Sequence, residues 1–244
     1  MSTALIPKKI HYFWFGNAPK PAKVLKMIDS WEKNCPDYEI IEWNEENYDI
    51  HKHPFMEQAY LDKKWAFVSD YARLDVLVQH GGIYLDTDVE VLKSFDDLLS
   101  NQAFMGFERP DLVNDGQGFG CMPGHPVFKE MLQVYDDSFE YIESPKLRTK
   151  ILLAHGLKTD GSRQNVDGVE IYPMDFFCPK SWSTGRIKVT KNTFSIHHFE
   201  GSWHGKSGKK YIALMRGLNR LLGEKKGHEV FEKLMELKDN IKGK

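Results

Sequence analysis

The sequence has no long apolar run among its 244 residues. No stretch of eighteen or more apolar residues occurs, so the sequence predicts no membrane-spanning helix. The N-terminal segment MSTALIPKKIHYFWFG lacks the order of basic, apolar and small residues that is typical of a secretion signal. We therefore expect a cytoplasmic protein.

Cysteines are few and widely spaced. Cys35, Cys121 and Cys178 are odd in number and form no CxxC pair, which excludes the usual zinc and redox motifs. Free thiols in a reducing compartment are the simplest interpretation of this pattern.

A broad basic surface is also missing from most of the chain. The net charge is −2, and residues 205–244 contain eleven Lys/Arg against five Asp/Glu, so the first 204 residues are acidic. Nucleic-acid binding needs a broad basic footprint. We expect no nucleic-acid partner and treat the basic tail separately.

The hydrophobic content of 41% is typical of an ordinary globular protein with one main core. Apolar spacing predicts alternating strands and helices. The predicted strands are 9–16, 38–43, 83–85, 89–92, 103–107, 118–121 and 193–198; the predicted helices are 20–34, a short one behind Asn44, 65–80, 126–141 and 145–155. This alternation predicts an α/β domain with a mixed sheet, in which ligands gather at the carboxyl ends of strands.

The segment Asp86-Thr87-Asp88 follows one of these predicted core strands. Two unpaired carboxylates one residue apart are costly to bury, so a cation is expected between them. Mg²⁺ or Mn²⁺ accepts such ligands and leaves positions for phosphate oxygens. Taken alone, such a motif is more often a solvated turn.

The surroundings of this motif carry more information. The string SDYARLDVLVQHGGIYLDTD resembles the sugar-binding DxD region of glycosyltransferase family 32 and, more remotely, the glucosylating clostridial toxins. The segments IPKKIHYFWFG and HHFEGSW also resemble the borders of that family, so the resemblance covers at least residues 6–204. It implies a GT-A-like, Rossmann-like single domain over 1–204, with a mixed central sheet flanked by helices and a helical tail over 205–244.

The resemblance also implies a metal centre that contains Mn²⁺ or Mg²⁺. Its ligands would be Asp86, Asp88 and a histidine, for which His198 is the choice because it precedes glycine as H-x-x-G. His197 alternates with His198 on a strand and should face the other side. Arg73, Asp86 and Asp88 would be the catalytic residues, and no nucleophile is assigned.

Further roles follow from the same resemblance. The expected donor-binding residues are Phe13, Trp14, Asp70, Arg73, Tyr84, Asp86, Thr87, Ser202 and Trp203. Asp70 and Arg73 are three residues apart on one helix face, which also fits a simple salt bridge. Trp14 fits base stacking and core packing equally well.

The segment NDGQGFG contains three further candidates. Asn114, Asp115 and Gln117 would contact the donor sugar or the acceptor, although Asn-Asp-Gly is also an ordinary turn sequence. Glu108 and Asp115 are the carboxylates that a double displacement could use. Neither is nominated.

The predicted helix 211–222 is basic and amphipathic. It fits a peripheral contact with the inner face of an anionic membrane, near a lipid-linked acceptor. Packing on the main domain or on a dimer partner is the alternative.

The sequence thus predicts a retaining glycosyltransferase. It would move a sugar from a UDP- or GDP-sugar to a saccharide acceptor in surface or capsular polysaccharide synthesis. The alternatives are a toxin-like protein glycosyltransferase and a noncatalytic, metal-stabilised nucleotide-sugar-binding module.

Overall fold

The computed structural model describes residues 4–136, 141–200 and 206–242. The strands are β1 (Lys9–Phe13), β2 (Glu39–Trp43), β3 (Gly82–Tyr84), β4 (Val89–Val91), β5 (Ala103–Arg109), β6 (Leu112–Asn114), β7 (Phe119–Cys121), β8 (Gln164–Val166), β9 (Val169–Tyr172) and β10 (Ser195–His197). The helices are α1 (Ala22–Asn34), α2 (Pro54–Leu61), α3 (Trp65–His80), α4 (Pro126–Gln133), α5 (Ser144–Ala154), α6 (Met174–Phe177), α7 (Lys206–Leu222) and α8 (Glu224–Lys242).

Two sheets are present in the described part of the chain. The larger has the order β2-β1-β3-β7-β5-β9-β8, with β6 paired to β5. β1 is parallel to β2 and β3, and β5 is parallel to β9, whereas the remaining pairs are antiparallel. The smaller sheet pairs β10 with β4 antiparallel. The predicted mixed sheet flanked by helices is therefore confirmed.

Both faces of the larger sheet are buried, because successive side chains point to opposite faces. On β1, Ile10 and Tyr12 pack in the cluster that contains Trp31 of α1, while Phe13 packs in the cluster that contains residues of α2 to α5. The two clusters together are the core that positions the strand ends.

Helix α3 ends at the predicted glycine pair. Gly81 has φ 63° and Gly82 has φ 107°, a backbone region that favours glycine. A Cβ on Gly82 would lie 2.8 Å from His11 Nε2 and 2.9 Å from the Lys9 carbonyl oxygen. Glycine is thus required both for the turn and for the close approach of β3 to β1.

Some predicted elements differ from the structure. Residues 45–47 form a turn instead of a short helix, because the Asn44 side chain accepts a hydrogen bond from Glu46 N at 2.9 Å and closes a local turn. Helix α4 ends at Gln133, and part of the predicted 126–141 lies outside the described residues. The sequence did not predict β6, β8, β9, α2 or α6.

The described chain falls into two compact units. The first contains the residues up to Pro179 together with Val189–His198, and the second contains Lys180–Lys188 and the residues from Phe199 onward. Within the second unit, Asn219 Nδ2 donates to the Ser183 carbonyl at 2.9 Å. The predicted boundary between residues 204 and 205 lies outside the described residues and stays a prediction.

The three cysteines are thiols that form no disulfide, as predicted, and all three are buried. Burial raises the pKa of the Cys35 thiol to about 11 and that of Cys121 well above its ordinary value, so neither is a reactive thiolate at neutral pH. Among the described helices, none combines the length and apolar character needed to cross a bilayer.

Candidate metal centre and its surroundings

The DxD segment connects the two sheets. Leu85 N donates to the His11 carbonyl at 3.1 Å, Asp86 N donates to the Gly116 carbonyl at 3.0 Å, and Val89 N donates back to the Asp86 carbonyl at 3.1 Å. The backbone therefore turns between β3 and β4. This turn is where the carboxyl ends of the parallel strands β1 and β3 meet.

Asp86, Asp88 and His197 form a group that could bind a metal ion. Each offers one ligand atom, and these atoms lie within 4.8 Å of one another. His197 is nearly buried, whereas the Asp86 and Asp88 side chains are 28% and 21% exposed. Two carboxylate oxygens and one imidazole nitrogen suit Mn²⁺, and partly exposed carboxylates leave the ion open to a further ligand.

His197, rather than the predicted His198, lies beside the aspartates. His197 Nε2 is 3.3 Å from Asp88 Oδ1, whereas His198 Nε2 is 2.8 Å from Glu90 Oε2. The two imidazoles point to opposite sides, as expected. The pairing of β10 with β4 decides which of them faces the aspartates, because it places His197 opposite Val89. That register corrects the choice of third ligand.

Gly116 makes room for the Asp86 carboxylate. A Cβ at Gly116 would lie 2.1 Å from Asp86 Oδ2. The Gly116 N–H donates to Asn114 Oδ1 at 2.6 Å, which fixes the loop behind the metal centre. No side chain larger than hydrogen fits at this position while Asp86 keeps its place.

Arg73 is the cation next to this centre. Its Nη2 lies 3.0 Å from Asp70 Oδ1 and 3.2 Å from Asp86 Oδ1, and its guanidinium carbon lies 4.6 Å from the centroid of the Tyr84 ring. The i,i+3 salt bridge and the approach to the candidate metal ligand therefore coexist. Burial alone would lower the pKa of Arg73, but the surrounding carboxylates raise it, so the guanidinium stays charged.

Tyr84 and Asp70 border the same cluster. Tyr84 is buried, and its hydroxyl donates to Asp86 Oδ1 at 2.8 Å. Burial raises the pKa of Asp70 to about 7, although the charge of Arg73 opposes the shift. Of these two predicted donor residues, Tyr84 contacts Asp86 directly, and Asp70 is linked to it through Arg73.

Asp115 is completely buried and bound on both oxygens. Its Oδ1 accepts from Ser144 Oγ at 2.7 Å and lies 3.3 Å from Arg73 Nη1, while its Oδ2 lies 2.8 Å from Arg148 Nε. Burial would raise the pKa of Asp115, but the two guanidinium groups lower it. The prediction that Asp115 contacts a sugar is not supported by this burial, since its oxygens already have partners inside the protein.

Asn114 and Gln117 are also buried. Asn114 Nδ2 donates to Glu108 Oε2, and Gln117 Nε2 donates to the Gly106 carbonyl at 2.8 Å. Asn114 therefore links the partly exposed Glu108 to the loop that supports Asp86. Asn114 thus shapes a loop beside the candidate metal centre, and its contact with a donor sugar or an acceptor stays a prediction.

Phe13 and Trp14 have different surroundings. Phe13 is buried and stacks on Phe15 with centroids 5.3 Å apart, which is core packing. Trp14 is partly buried and donates from Nε1 to the Ala18 carbonyl at 2.6 Å. Of the two, only Trp14 retains exposed ring surface for a ligand.

A cavity of about 420 Å³ lies beyond the end of β1. It is lined by Gly16, Asn17, Tyr60, Leu61, Lys63 and Trp65. Trp65 is 37% exposed at the start of α3, and a Cβ on Gly16 would lie 3.1 Å from Cζ2 of its ring. Tyr60 and Trp65 could not be selected from the sequence, because they lie about 50 residues after β1 and only the fold brings them to its end.

The remaining predicted residues are less informative. Thr87 lies between the two aspartates and is partly exposed. Ser202 and Trp203 lie outside the described residues. His197, which belongs to the candidate centre, and Arg148, which binds Asp115 behind it, were not selected from the sequence.

Fold and site together define an α/β protein with a candidate centre for a divalent cation and an anionic ligand. Residues 21–105 match the family model described as "Glycosyltransferase sugar-binding region containing DXD motif". The match confirms, over residues 21–105, the resemblance inferred from the string around Asp86.

Curated proteins that are similar to this chain include the following two. "Subversion of eukaryotic traffic protein A" from Legionella pneumophila is 29% identical over 124 residues, which cover 38% of this chain and 19% of that protein. "Inositol phosphoceramide mannosyltransferase 1" from Schizosaccharomyces pombe is 24% identical over 228 residues, which cover 89% of this chain and 68% of that protein. The solved structure described as "PaToxG Glycosyltransferase" is 19% identical over 61% of this chain and 69% of that chain, with a TM-score of 0.48.

Proposed function

We propose that this chain is a metal-dependent glycosyltransferase that uses a UDP- or GDP-sugar. The observation that carries the proposal is the convergence of ligand atoms of Asp86, Asp88 and His197 within 4.8 Å, since both aspartates belong to the region that matches the family model. Mn²⁺ or Mg²⁺ bound there would supply a Lewis acid for the departing diphosphate. Arg73 would add a fixed positive charge beside it.

Helix α3 supports a specific placement of the donor. Trp65, at its first residue, lines the cavity, and Arg73 follows eight residues later, about 12 Å along the axis at 1.5 Å per residue. In our proposal the nucleobase enters the cavity beside Trp14 and Trp65. Asp70 then binds ribose or sugar hydroxyls, and the diphosphate lies near Arg73 and the metal centre.

The proposed reaction retains the configuration of the transferred sugar without an enzyme nucleophile. Asp115 is unsuited to a covalent role because its oxygens are buried and bound to Ser144 and two arginines. A single-face attack by the acceptor needs charge stabilisation of the leaving diphosphate, which Arg73 and the metal centre would provide.

The acceptor in our proposal is a saccharide of a surface polysaccharide, carried on a lipid. The printed name of the yeast relative refers to mannose transfer to a ceramide lipid, which supports both a mannosyl donor and a lipid-borne acceptor. The basic helix α7 would then bring the protein to the cytoplasmic face of the membrane.

One titration tests the proposed function. Purified protein is titrated with UDP-glucose, UDP-galactose and GDP-mannose, with and without Mn²⁺, while donor hydrolysis and thermal stability are followed. We expect binding and slow hydrolysis of one donor that depend on Mn²⁺, and a loss of about 10²-fold or more in hydrolysis in Asp88→Asn. Metal-independent binding, or undiminished turnover in this variant, would reject the mechanism; an exposed-site variant, Asp111→Asn, serves as the control.

A further inference from the structure

A chain of alternating charges runs from the candidate metal centre into the protein interior. Asp86 contacts Arg73 at 3.2 Å, Arg73 contacts Asp115 at 3.3 Å, and Asp115 contacts Arg148 at 2.8 Å. Arg73 and Arg148 thus share one buried carboxylate. The share of the Asp115 charge that Arg73 neutralises therefore depends on the share that Arg148 neutralises.

Arg148 is fully buried and belongs to α5, away from the DxD segment in sequence. Its Nη2 donates to Tyr135 Oη at 2.9 Å and to the Asp70 carbonyl at 3.0 Å. Its Nη1 is buried without a hydrogen-bond partner in the described part of the chain. Buried ion pairs often contribute little net stability, and an incompletely bonded one is a poor choice for stability alone.

We infer that Arg148 is a positioning residue that sets the relative affinities of the centre for a divalent cation and for a diphosphate. It binds Asp115 closely and thereby leaves the Arg73 guanidinium free to approach Asp86. This inference deepens the proposed function and rests on it, because it concerns the same metal and diphosphate site.

Removing Arg148 has a distinctive consequence. The unpaired charge of Asp115 draws Arg73 inward, since Arg73 becomes its only cationic partner in the described structure. The Asp86 carboxylate is then less neutralised by Arg73 and attracts a divalent cation more strongly. The diphosphate, in contrast, loses part of the positive charge that binds it.

The experiment measures the two affinities separately by calorimetry. Arg148→Met is titrated first with Mn²⁺ alone and then, at saturating Mn²⁺, with UDP and with GDP. We expect the Mn²⁺ dissociation constant to fall and the nucleoside diphosphate dissociation constant to rise, each by roughly tenfold. A purely structural role would weaken both.

A second variant keeps the test decisive if Arg148→Met folds poorly. In Asp115→Leu/Arg148→Met no buried charge is left unpaired, and Arg73 is released toward Asp86. Both affinities should then shift in the opposite directions, with weaker Mn²⁺ binding and tighter diphosphate binding. Arg163→Met, which changes an exposed arginine of the same unit, is the matched control and should match the unmodified protein.

The outcomes separate the two claims. If the unmodified protein binds neither Mn²⁺ nor UDP or GDP, the proposed function fails and this inference fails with it. If it binds them, and the affinities of the variants change in the same direction or not at all, only the role of Arg148 is rejected.

Discussion

His197 and His198 are adjacent in the chain but contact different carboxylates. His197 lies against Asp88 and His198 against Glu90. Burial would lower the pKa of His197, but Asp88 and the neighbouring carboxylates raise it. The negative field that attracts a proton to His197 is the same field that would attract a metal ion.

The assignment of the third ligand is testable by exchanging each histidine. We expect His197→Ala to weaken Mn²⁺ binding by at least about tenfold, because it removes a nitrogen ligand, while His198→Ala changes it by less than about threefold. Calorimetric titration with Mn²⁺ measures the effect, and circular dichroism checks that both variants are folded. A larger loss in His198→Ala would restore the choice made from sequence.

At the scale of single residues, the sequence predicted contacts between residues that lie close together in the chain. Asp70 and Arg73 share a helix face, and Asp86 follows Tyr84 by two residues at the end of β3, so local spacing brings each pair together. Arg148 is 33 residues from Asp115, and only the docking of α5 brings them into contact. The histidine choice failed because strand alternation gives two opposite faces without stating which one faces Asp88.

The elements around the site were predicted where the spacing of apolar residues followed one period along the whole element. α3 matches the predicted range 65–80, and its apolar residues fill the core beside β1 and β3. β8 and β9 were missed because these strands have three and four residues. Such short strands give little alternation to detect. β8 pairs with β9, and β9 is joined to the rest of the sheet through β5, which is distant in sequence.

Helix α7 exposes apolar side chains among basic ones. Leu214 and Leu221 are 43% and 84% exposed, whereas Met215 and Asn219 on the other side are buried. The helix sequence contains five Lys/Arg and no Asp/Glu. This combination supports the proposed contact with an anionic membrane, where apolar insertion and charge attraction act together.

Serine substitutions test that contact. We expect Leu214→Ser/Leu221→Ser to reduce co-sedimentation with phosphatidylglycerol vesicles by about tenfold or more, since two leucine side chains no longer enter the apolar layer. Unmodified protein should bind phosphatidylcholine vesicles much less. Leu153→Ser, at an exposed leucine of α5, is the matched control, and sedimentation of the double variant equal to that control would reject the membrane contact.

On the scale of the whole molecule, the order of strands could not be read from the sequence. β7 lies between β3 and β5 and is antiparallel to both, so the central sheet is mixed at its middle. A βα alternation predicts parallel neighbours, and only long-range pairing shows where the direction reverses. The division that groups Lys180–Lys188 with α7 and α8 is equally non-local.

Stability of the molecule should depend on His11 in the central strand β1. His11 is fully buried, its Nδ1 accepts from Trp43 Nε1 at 3.1 Å, and its Nε2 donates to the Gly81 carbonyl at 2.9 Å. Both nitrogens are thus satisfied in the neutral ring. Burial lowers the pKa of His11 to about 4.

The pH dependence follows from this lowered pKa. In the unfolded chain His11 takes up a proton as the pH falls below about 6.5, whereas in the folded protein it does so only near pH 4. The stability that the neutral ring contributes is therefore complete above about pH 6.5 and is lost progressively down to pH 4, by roughly 2–3 kcal/mol. Urea unfolding at pH 7.5, 5.5 and 4.5 measures this loss.

Replacing the histidine isolates its part of the titration. His11→Gln keeps an N–H for the Gly81 carbonyl but cannot titrate, so it should be less stable than the unmodified protein at pH 7.5 and should lose less stability toward pH 4.5. His228→Gln, at an exposed histidine of α8, should show the same pH dependence as the unmodified protein. Parallel stability curves for His11→Gln and the unmodified protein would mean that His11 takes up its proton at the same pH in the folded and unfolded states. That result would contradict the pKa lowering expected from its burial.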